Sequence, residues 1–254
     1  MRLQRLNMDN TWHFTSQGRS IVIDPWLEGV EIDYFPWFNT QWHRTPPVRY
    51  GQVPDFEAVL ITQKYPDHFH TKTLETLNPK LVFAPDSLRK QLSRILPDTE
   101  VRTFTPRETH LRWGDWSLQW FHTTRRIDPI YDAVLIDNGT QSLFIATHGF
   151  QLSEGHQKQL QGASPVHILM SPFNRYRLPS LLGGLVSPGL DGLKTLVQHT
   201  QPNVIVRTHD EDKHNKGIVS KLASIHHFEM DMLPENPWLS ERYSPVSDYS
   251  PVTY

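Results

Sequence analysis

The sequence predicts a layered α+β or αββα arrangement, because strand–helix units and β-hairpins occur in the same chain. Residues 59–96 alternate between apolar, β-branched runs and short helical segments. We predict strand, helix, strand and helix in that order, at Val59–Thr62, Lys72–Leu77, Lys80–Ala84 and Asp86–Leu96. Beyond residue 109 the chain changes to hairpin patterns, which a doubly wound parallel sheet does not contain.

Two β-hairpins are predicted in this later region. Large apolar residues alternate with polar ones from Leu111 to His122, around a Gly114-Asp115 turn. A second hairpin joins Ala133–Ile136 to Ser142–Ala146 through Asn138-Gly139, a dipeptide that favours a two-residue turn. These hairpins are the observation that separates the α+β prediction from an all-parallel sheet.

Other segments complete the prediction. A short strand at Ser20–Ile23 ends at Asp24 because Pro25 cannot continue it. Residues 28–54 are predicted to form a long aromatic loop, either a lid over a pocket or a segment packed on the core. The remaining predicted elements are strands at Val166–Met170 and Val204–Val206 and helices at Leu190–His199 and Ile218–His226. We expect one domain over residues 1–232 and a proline-rich tail over residues 233–254.

The composition limits the ligands and partners. The 254 residues carry a formal net charge of −2, which provides no basic field for nucleic acid. The chain has no cysteine, so any metal must be bound by nitrogen and oxygen ligands, and 14 histidines are present. No segment approaches the roughly 20 apolar residues of a membrane span. We therefore expect a cytoplasmic protein with a small-molecule substrate, able to form a homo-oligomer.

Potential metal ligands follow several predicted strands. Each of five candidates comes just after or at the end of such a strand: Asp67, His68, His122, His148 and His209. Because open sheets place chemistry at the carboxyl ends of their strands, we expect these side chains to gather at one edge. Aspartate and neutral imidazole suit zinc, manganese or iron.

Residues 59–70 resemble the HxHxDH signature of the metallo-β-lactamase fold superfamily. Asp67 and His68 match its Asp and the following His, whereas Gln63 and Tyr65 stand where its two leading histidines are found. The resemblance extends over roughly residues 21–217 and implies a four-layer αββα sandwich. The Asp24-Pro25-Trp26-Leu27 segment is similar to one in the UlaG-like and N-acylphosphatidylethanolamine phospholipase-like branch.

The same resemblance implies a site with altered metal ligands. His122 and His209 match two further metal histidines, and His148 stands where the family carries an aspartate that bridges two metals. An imidazole cannot bridge as a carboxylate does, so we predict one divalent ion, with zinc preferred and manganese or iron as alternatives. Asp67 and His148 are the predicted catalytic residues. Contacts to substrate or to the ligands are predicted for Gln63, Tyr65, His70, Asp24 and Arg207.

The resulting hypothesis is a metal-dependent hydrolase that acts on an ester, a phosphoester or a lactone through a metal-bound water. The alternative is a member of the fold that has lost catalysis and acts as a binding or assembly factor. Gln63 and Tyr65 could also line a purely organic ligand pocket. Each histidine alone could be structural, and Asp67-His68 could cap the helix that begins near His70.

Three other segments have weaker signals. Arg207, Lys213 and Lys216 belong to a charged stretch that could position an anionic substrate or form a solvated loop. Arg125 and Arg126 suit a phosphate or a carboxylate. Residues 178–190 form an apolar, glycine-containing loop that could admit an acyl chain, meet a membrane surface or cover the edge of the core.

Overall fold

The computed structural model describes residues 1–123 and 132–254, which fall into two compact units. The first consists of Met1–Glu108, Glu211–Lys221 and Val246–Tyr254, and the second of Thr109–Asp210 and Leu222–Pro245. The described strands are β1 (Arg2–Arg5), β2 (Trp12–Ser16), β3 (Arg19–Ile23), β4 (Val30–Asp33), β5 (Asn39–His43), β6 (Ala58–Leu60), β7 (Leu81–Pro85), β8 (Glu100–Phe104), β9 (His110–Trp113), β10 (Trp116–Phe121), β11 (Ala133–Asp137), β12 (Ser142–Ala146), β13 (Val166–Ser171), β14 (Arg175–Arg177), β15 (Leu185–Pro188), β16 (Val204–Arg207), β17 (Lys213–Lys216), β18 (Ser224–His226) and β19 (Val252–Thr253). The described α-helices are α1 (Thr71–Leu77), α2 (Arg89–Ile95), α3 (Glu154–Gln161), α4 (Leu190–Thr200), α5 (Ile218–Leu222) and α6 (Pro237–Ser240).

The first unit is built on a seven-stranded sheet with the order β19-β1-β2-β3-β6-β7-β8. Strands β3, β6, β7 and β8 run parallel, so their carboxyl ends lie at one edge. Val59, Leu60 and Val82 are fully buried, as expected for parallel strands that are covered on both faces. Leu74 of α1 and Leu92 of α2 belong to the same apolar cluster as Val59 and Val82. Residues that follow β3 and β6 are therefore neighbours.

A second sheet of this unit, in the order β17-β5-β4, has polar residues inside and apolar residues outside. Glu31 is 1% exposed, whereas Val30 and Ile32 on the same strand are 49% and 42% exposed. Successive side chains of a strand point to opposite faces, so Glu31 and Asp33 share the inner one. The predicted irregular loop over residues 28–54 is therefore wrong, because it contains the β4–β5 hairpin.

The second unit contains a six-stranded sheet with the order β16-β13-β12-β11-β10-β9. Both predicted hairpins are confirmed, since β9, β10, β11 and β12 pair in antiparallel succession. Strands β12, β13 and β16 are parallel, so their carboxyl ends share an edge. The buried rings of Phe121, Phe144 and Phe150 pack edge to face beneath this sheet, and Leu193 and Leu196 of α4 belong to the same cluster.

Two further predictions, for residues 218–226 and for residues 178–190, differ from the structure. The helix predicted over Ile218–His226 ends at Leu222, because residues 224–226 become β18 and pair with β14. The segment 178–190 is the turn and second strand of the β14–β15 hairpin rather than a plain loop. Strand β18 depends on a partner distant in sequence, which local patterns do not reveal, whereas β15 pairs locally with β14.

Strands β1, β2 and β17 and helix α3 were not predicted. Within residues 233–254, α6 buries Leu239, and β19 pairs with β1. In the described part of the chain, every helix is too short or too polar to cross a lipid bilayer.

Candidate metal centre

Asp24 orients His68 at the carboxyl edge of the first unit's parallel strands. Asp24 directly follows β3, and its carboxylate accepts hydrogen bonds from the backbone N–H and the hydroxyl of Thr62, both at 2.7 Å. The Nδ1 atom of His68 lies 2.8 Å from Asp24 Oδ2. A carboxylate can only accept, so Nδ1 carries the proton and Nε2 is left as the ligand nitrogen.

The ligand nitrogen of His68 lies close to a second potential ligand, since Nε2 is 3.8 Å from Asp67 Oδ1. Ligand atoms about 2.0–2.2 Å from a tetrahedral metal are themselves roughly 3.4 Å apart, which the pair approaches. Burial disfavours the charged form of His68, but Asp24 and Asp67 outweigh it and raise the pKa of this imidazole. The residues fit a divalent ion, because a carboxylate and an oriented imidazole provide suitable ligands.

A pair of histidines occupies the equivalent edge of the second unit. His148 follows β12 and His209 follows β16, two strands that flank β13 in parallel order. Their ring centroids are 4.6 Å apart. Both residues have left-handed backbones, with φ of 48° and 54°, and Asp24 in the first unit has φ of 48°. Such values are uncommon outside glycine and occur disproportionately at functional sites.

His122 directly follows β10 of the second unit, and its side chain is 42% exposed. Its Nδ1 lies 3.1 Å from Asp132 Oδ1, which also accepts a hydrogen bond from the Thr123 N–H. Burial raises the pKa of Asp132, and its hydrogen bonds oppose that shift. His156 Nε2 lies 3.0 Å from the His122 carbonyl. Because the Asp132 carboxylate contacts Nδ1 of His122, Nε2 is the ring nitrogen of His122 that remains available to a metal.

Comparison with known proteins identifies the family. Residues 7–209 match a family model described as a β-lactamase superfamily domain, which covers most of the chain. This chain belongs to the β-lactamase superfamily. No curated protein sequence matches it significantly.

Solved structures support the fold. An isothiocyanate hydrolase from Delia radicum gut bacteria is 16% identical, with a TM-score of 0.70 over 100% of this chain and 99% of that one. A possible metal-dependent hydrolase from Veillonella parvula is 14% identical, with a TM-score of 0.69 over the same shares. The metallo-β-lactamase fold protein YhfI from Bacillus subtilis is 11% identical, with a TM-score of 0.63 over 99% of both chains. The predicted αββα metallo-β-lactamase fold class is therefore confirmed.

In this superfamily member, the Asp67 carboxylate forms an ion pair with a buried lysine. The ammonium of Lys213 lies 3.2 Å from Asp9, 3.4 Å from Asp67 and 3.8 Å from Glu211. Burial disfavours the charge of Lys213, but these carboxylates outweigh it and hold its pKa well above the usual range. Lys213 is thus an internal counter-ion of the site rather than part of a solvated loop.

The inner face of the β4–β5 hairpin adds two carboxyl groups to this cluster. Burial, reinforced by Asp67 and Asp33, raises the pKa of Glu31 to about 9. Burial and the charge of Asp67 raise the pKa of Asp33 to about 6. Both carboxyl oxygens of Glu31 are buried with no hydrogen-bond partner in the described ranges 1–123 and 132–254. Glu31 is therefore protonated at neutral pH.

We expect the Glu31→Gln variant to be more stable than the wild type at alkaline pH. A carboxyl pKa of about 9 against an ordinary 4.5 means that the folded state holds the extra proton between these values. The stabilisation from this proton is complete below pH 4.5 and is lost as pH rises through 9. Between pH 6 and pH 9, urea unfolding should show a loss of unfolding free energy about 3–4 kcal/mol larger in the wild type than in the variant, because each pH unit in this range costs about 1.4 kcal/mol. Equal losses in the two proteins would contradict the raised pKa of Glu31. The Glu57→Gln variant, which changes an exposed carboxylate, is the control.

The other predicted site residues have varied surroundings. Gln63 is buried and Tyr65 is partly exposed in the loop after β6. The Tyr65 carbonyl accepts the backbone N–H groups of His68 and Phe69, which forms the turn. His70 caps α1, because its Nδ1 accepts the Thr73 N–H at 3.3 Å. The proposed cap by Asp67 or His68 is therefore wrong.

Arg207 belongs to the second unit, where its Nε lies 2.8 Å from Asp210 Oδ1. Its guanidinium also lies 5.7 Å from the centroid of the Phe228 ring. These contacts give Arg207 a packing role. Arg125 and Arg126 lie outside the described residues.

Sequence reasoning missed Asp9, Glu31 and Asp132, and placed Lys213 only in a charged stretch. Asp9 lies in an early turn in which the Asn7 side chain accepts the backbone N–H groups of residues 9–11. An Asn-X-Asp-Asn run indicates a turn, and nothing in it points to a distant lysine. Only the pairing of β17 with β5 brings Lys213 to the inner face.

Proposed function

We propose that this chain is a metal-dependent hydrolase with a single divalent ion, bound by His68, His148 and His209 together with Asp67. Each histidine offers one ligand nitrogen. The observation that carries the proposal is the hydrogen bond from buried His68 to Asp24, because a carboxylate that fixes an imidazole is the usual support of a metal ligand. The left-handed backbones of His148 and His209 support the same role.

Zinc is the proposed metal, with manganese or iron as alternatives, since imidazole and carboxylate suit all three. We assign His122 as a supplementary ligand. Gln63 and Tyr65 would contact the substrate, because a neutral amide and an un-ionised phenol are poor replacements for two imidazoles. The likeness of the Asp24-Pro25-Trp26-Leu27 segment supports a relation to the UlaG-like branch in this proposal, and the altered loop supports one metal rather than two.

The proposed reaction is hydrolysis of an ester, a phosphoester or a lactone. The ion, when bound, supplies an activated water at neutral pH. Asp67 and His148 are assigned as the catalytic residues; as ligands they would orient the activated water, and the Asp67 carboxylate would accept its proton. Lys213 limits the negative charge around Asp67, and Asp24 fixes the protonation of His68. An isothiocyanate hydrolase, a human tRNase Z and a diphosphatase share the fold, which supports hydrolysis in general and no one substrate.

Metal content tests the first part of the proposal. Protein purified without chelator should contain about one equivalent of zinc, manganese or iron by elemental analysis. The Asp67→Ala/His68→Ala variant should contain almost none, because it loses two of the four principal ligands proposed. His110→Ala, which removes an exposed histidine on β9, should retain the metal. A wild type with no more metal than the double variant would exclude the metal centre.

Activity tests the second part. Metal-loaded protein should hydrolyse generic esters, phosphodiesters or lactones, and the activity should disappear in His209→Ala. The burial and neutral chemistry of Gln63 favour one alternative, a binding factor that has lost catalysis. Metal-loaded protein that is inert towards all three substrate classes would favour that alternative. Protection by an organic ligand without metal would indicate the purely organic pocket.

A further inference from the structure

A basic cavity lies on the small sheet of the second unit, in the order β15-β14-β18. Its volume is about 390 Å³, and it is lined by Arg175, Arg177, Ser224 and His226. In the β14–β18 register, Arg175 is opposite His226 and Arg177 is opposite Ser224. Residues two apart on a strand share a face, so the four side chains converge on one side of the sheet.

The lining consists of hydrogen-bond donors with no carboxylate among them. Arg175 lies 3.4 Å from Asp191, and both side chains are well exposed, which makes this a weak ion pair. No carboxylate in the described part of the chain lies within ion-pair distance of Arg177. Arg175 and Arg177 are two residues apart on β14 and share a face, so an anion bound between them would offset the repulsion of their two charges.

The chemistry of the lining matches a phosphate group. A guanidinium presents two parallel N–H groups that suit two phosphate oxygens, and an imidazole and a hydroxyl can serve the others. A cavity of about 390 Å³ is also within the size range of small-ligand sites.

The turn beside this cavity is largely apolar and has an exposed tip. It spans residues 178–184 of the β14–β15 hairpin, where the Leu178 N–H donates to the Gly184 carbonyl. Leu181 at its tip is 99% exposed, and Gly183 and Gly184 provide the positive φ values of 120° and 68° that the turn requires. An apolar tip beside arginines suits a phosphate attached to an apolar group.

We propose that the cavity lined by Arg175, Arg177, Ser224 and His226 binds a phosphate group, either of a soluble phosphoester or of a phospholipid headgroup. The site is built entirely from the second unit and does not depend on the metal centre. Arg177 is its principal residue, because it lines the cavity without a competing carboxylate. The exposed Leu181 contributes only when the phosphate belongs to a lipid.

Calorimetric titration of the full chain with inorganic phosphate and pyrophosphate at low ionic strength tests the site. The Arg177→Gln variant should bind roughly tenfold or more weakly than the wild type, since a charge-assisted hydrogen bond pair is lost. Lys194→Gln removes one exposed charge from α4 without touching the cavity and should bind like the wild type. No phosphate binding by the wild type, or equal binding by Arg177→Gln and Lys194→Gln, would overturn the proposal.

Co-sedimentation with vesicles distinguishes the two sources of phosphate. If the ligand is a lipid, phosphatidic acid vesicles should bind the wild type, and Leu181→Gln should weaken this binding while leaving pyrophosphate binding unchanged. If the ligand is soluble, Leu181→Gln should have no effect on vesicle binding, and Arg177→Gln should still lose its affinity for pyrophosphate. Vesicle binding that survives in Arg177→Gln would count against a phosphate site.

Discussion

The Asp24→Asn variant should bind its metal about 10–100-fold more weakly than the wild type. Asp24 is 1% exposed, and its carboxylate accepts from Thr62 and faces Nδ1 of His68. An asparagine of the same shape presents an N–H to Nδ1 and therefore favours the tautomer that carries its proton on Nε2. A protonated Nε2 has no lone pair for a metal, so the ligand is lost without loss of volume.

Zinc titration against a competing chelator measures this effect. The exposed Asp98→Asn variant is the matched control and should keep the affinity of the wild type. Urea unfolding of the metal-free proteins shows whether the substitution also destabilises the fold. A variant that unfolds like the wild type but binds zinc more weakly has lost a metal ligand and not its fold. Unchanged zinc affinity in a folded Asp24→Asn protein would show that Asp24 does not set the tautomer of His68.

The Lys213→Met variant should lose about 3–5 kcal/mol of unfolding free energy near neutral pH. Its ammonium, with the side chain 5% exposed, is the cation shared by Asp9, Asp67 and Glu211. Methionine retains much of the side-chain volume but leaves these buried carboxylates without a counter-ion, and removing one partner of a buried ion pair is far more costly than removing both. The loss should shrink at acidic pH, where the carboxylates take up protons.

Chemical unfolding at pH 5 and pH 8 checks this expectation. Lys216→Met is the control, since Lys216 is on the same strand with an exposed side chain. A loss below about 1 kcal/mol in Lys213→Met, or an equal loss in Lys216→Met, would mean that the lysine does not neutralise the cluster.

The parts of the fold that were predictable depend on local patterns. The strands before Asp24, His148 and His209 are apolar runs that end in polar residues, and this order alone places each residue at a carboxyl edge. The Asn138-Gly139 turn likewise fixes its hairpin without distant contacts. These signals were sufficient for the fold class and for the candidate residues at strand ends.

The unpredicted parts depend on contacts between distant segments. The polar residue Glu31 of β4 is buried, and the charges that act on it include Asp67 and Lys213, which lie far along the chain. His70 could be a site residue or a helix cap, and only the position of Thr73 beside its ring decides for the cap. The proton on Nδ1 of His68 follows from Asp24, which precedes it by 44 residues.

The sheet formed by β17, β5 and β4 buries the polar side chain of Glu31 and exposes its apolar neighbours Val30 and Ile32. A hydropathy profile therefore assigns the two faces of β4 incorrectly. Val30 and Ile32, which a profile assigns to the core, are in contact with water, while Glu31 between them is almost fully enclosed. A polar residue in place of Val30 or Ile32 should therefore cost little folding free energy, whereas an apolar residue in place of Glu31 would remove the buried carboxyl group that the hairpin contributes. In β4, the apolar residues Val30 and Ile32 are the exposed ones and the carboxyl residue Glu31 is the buried one.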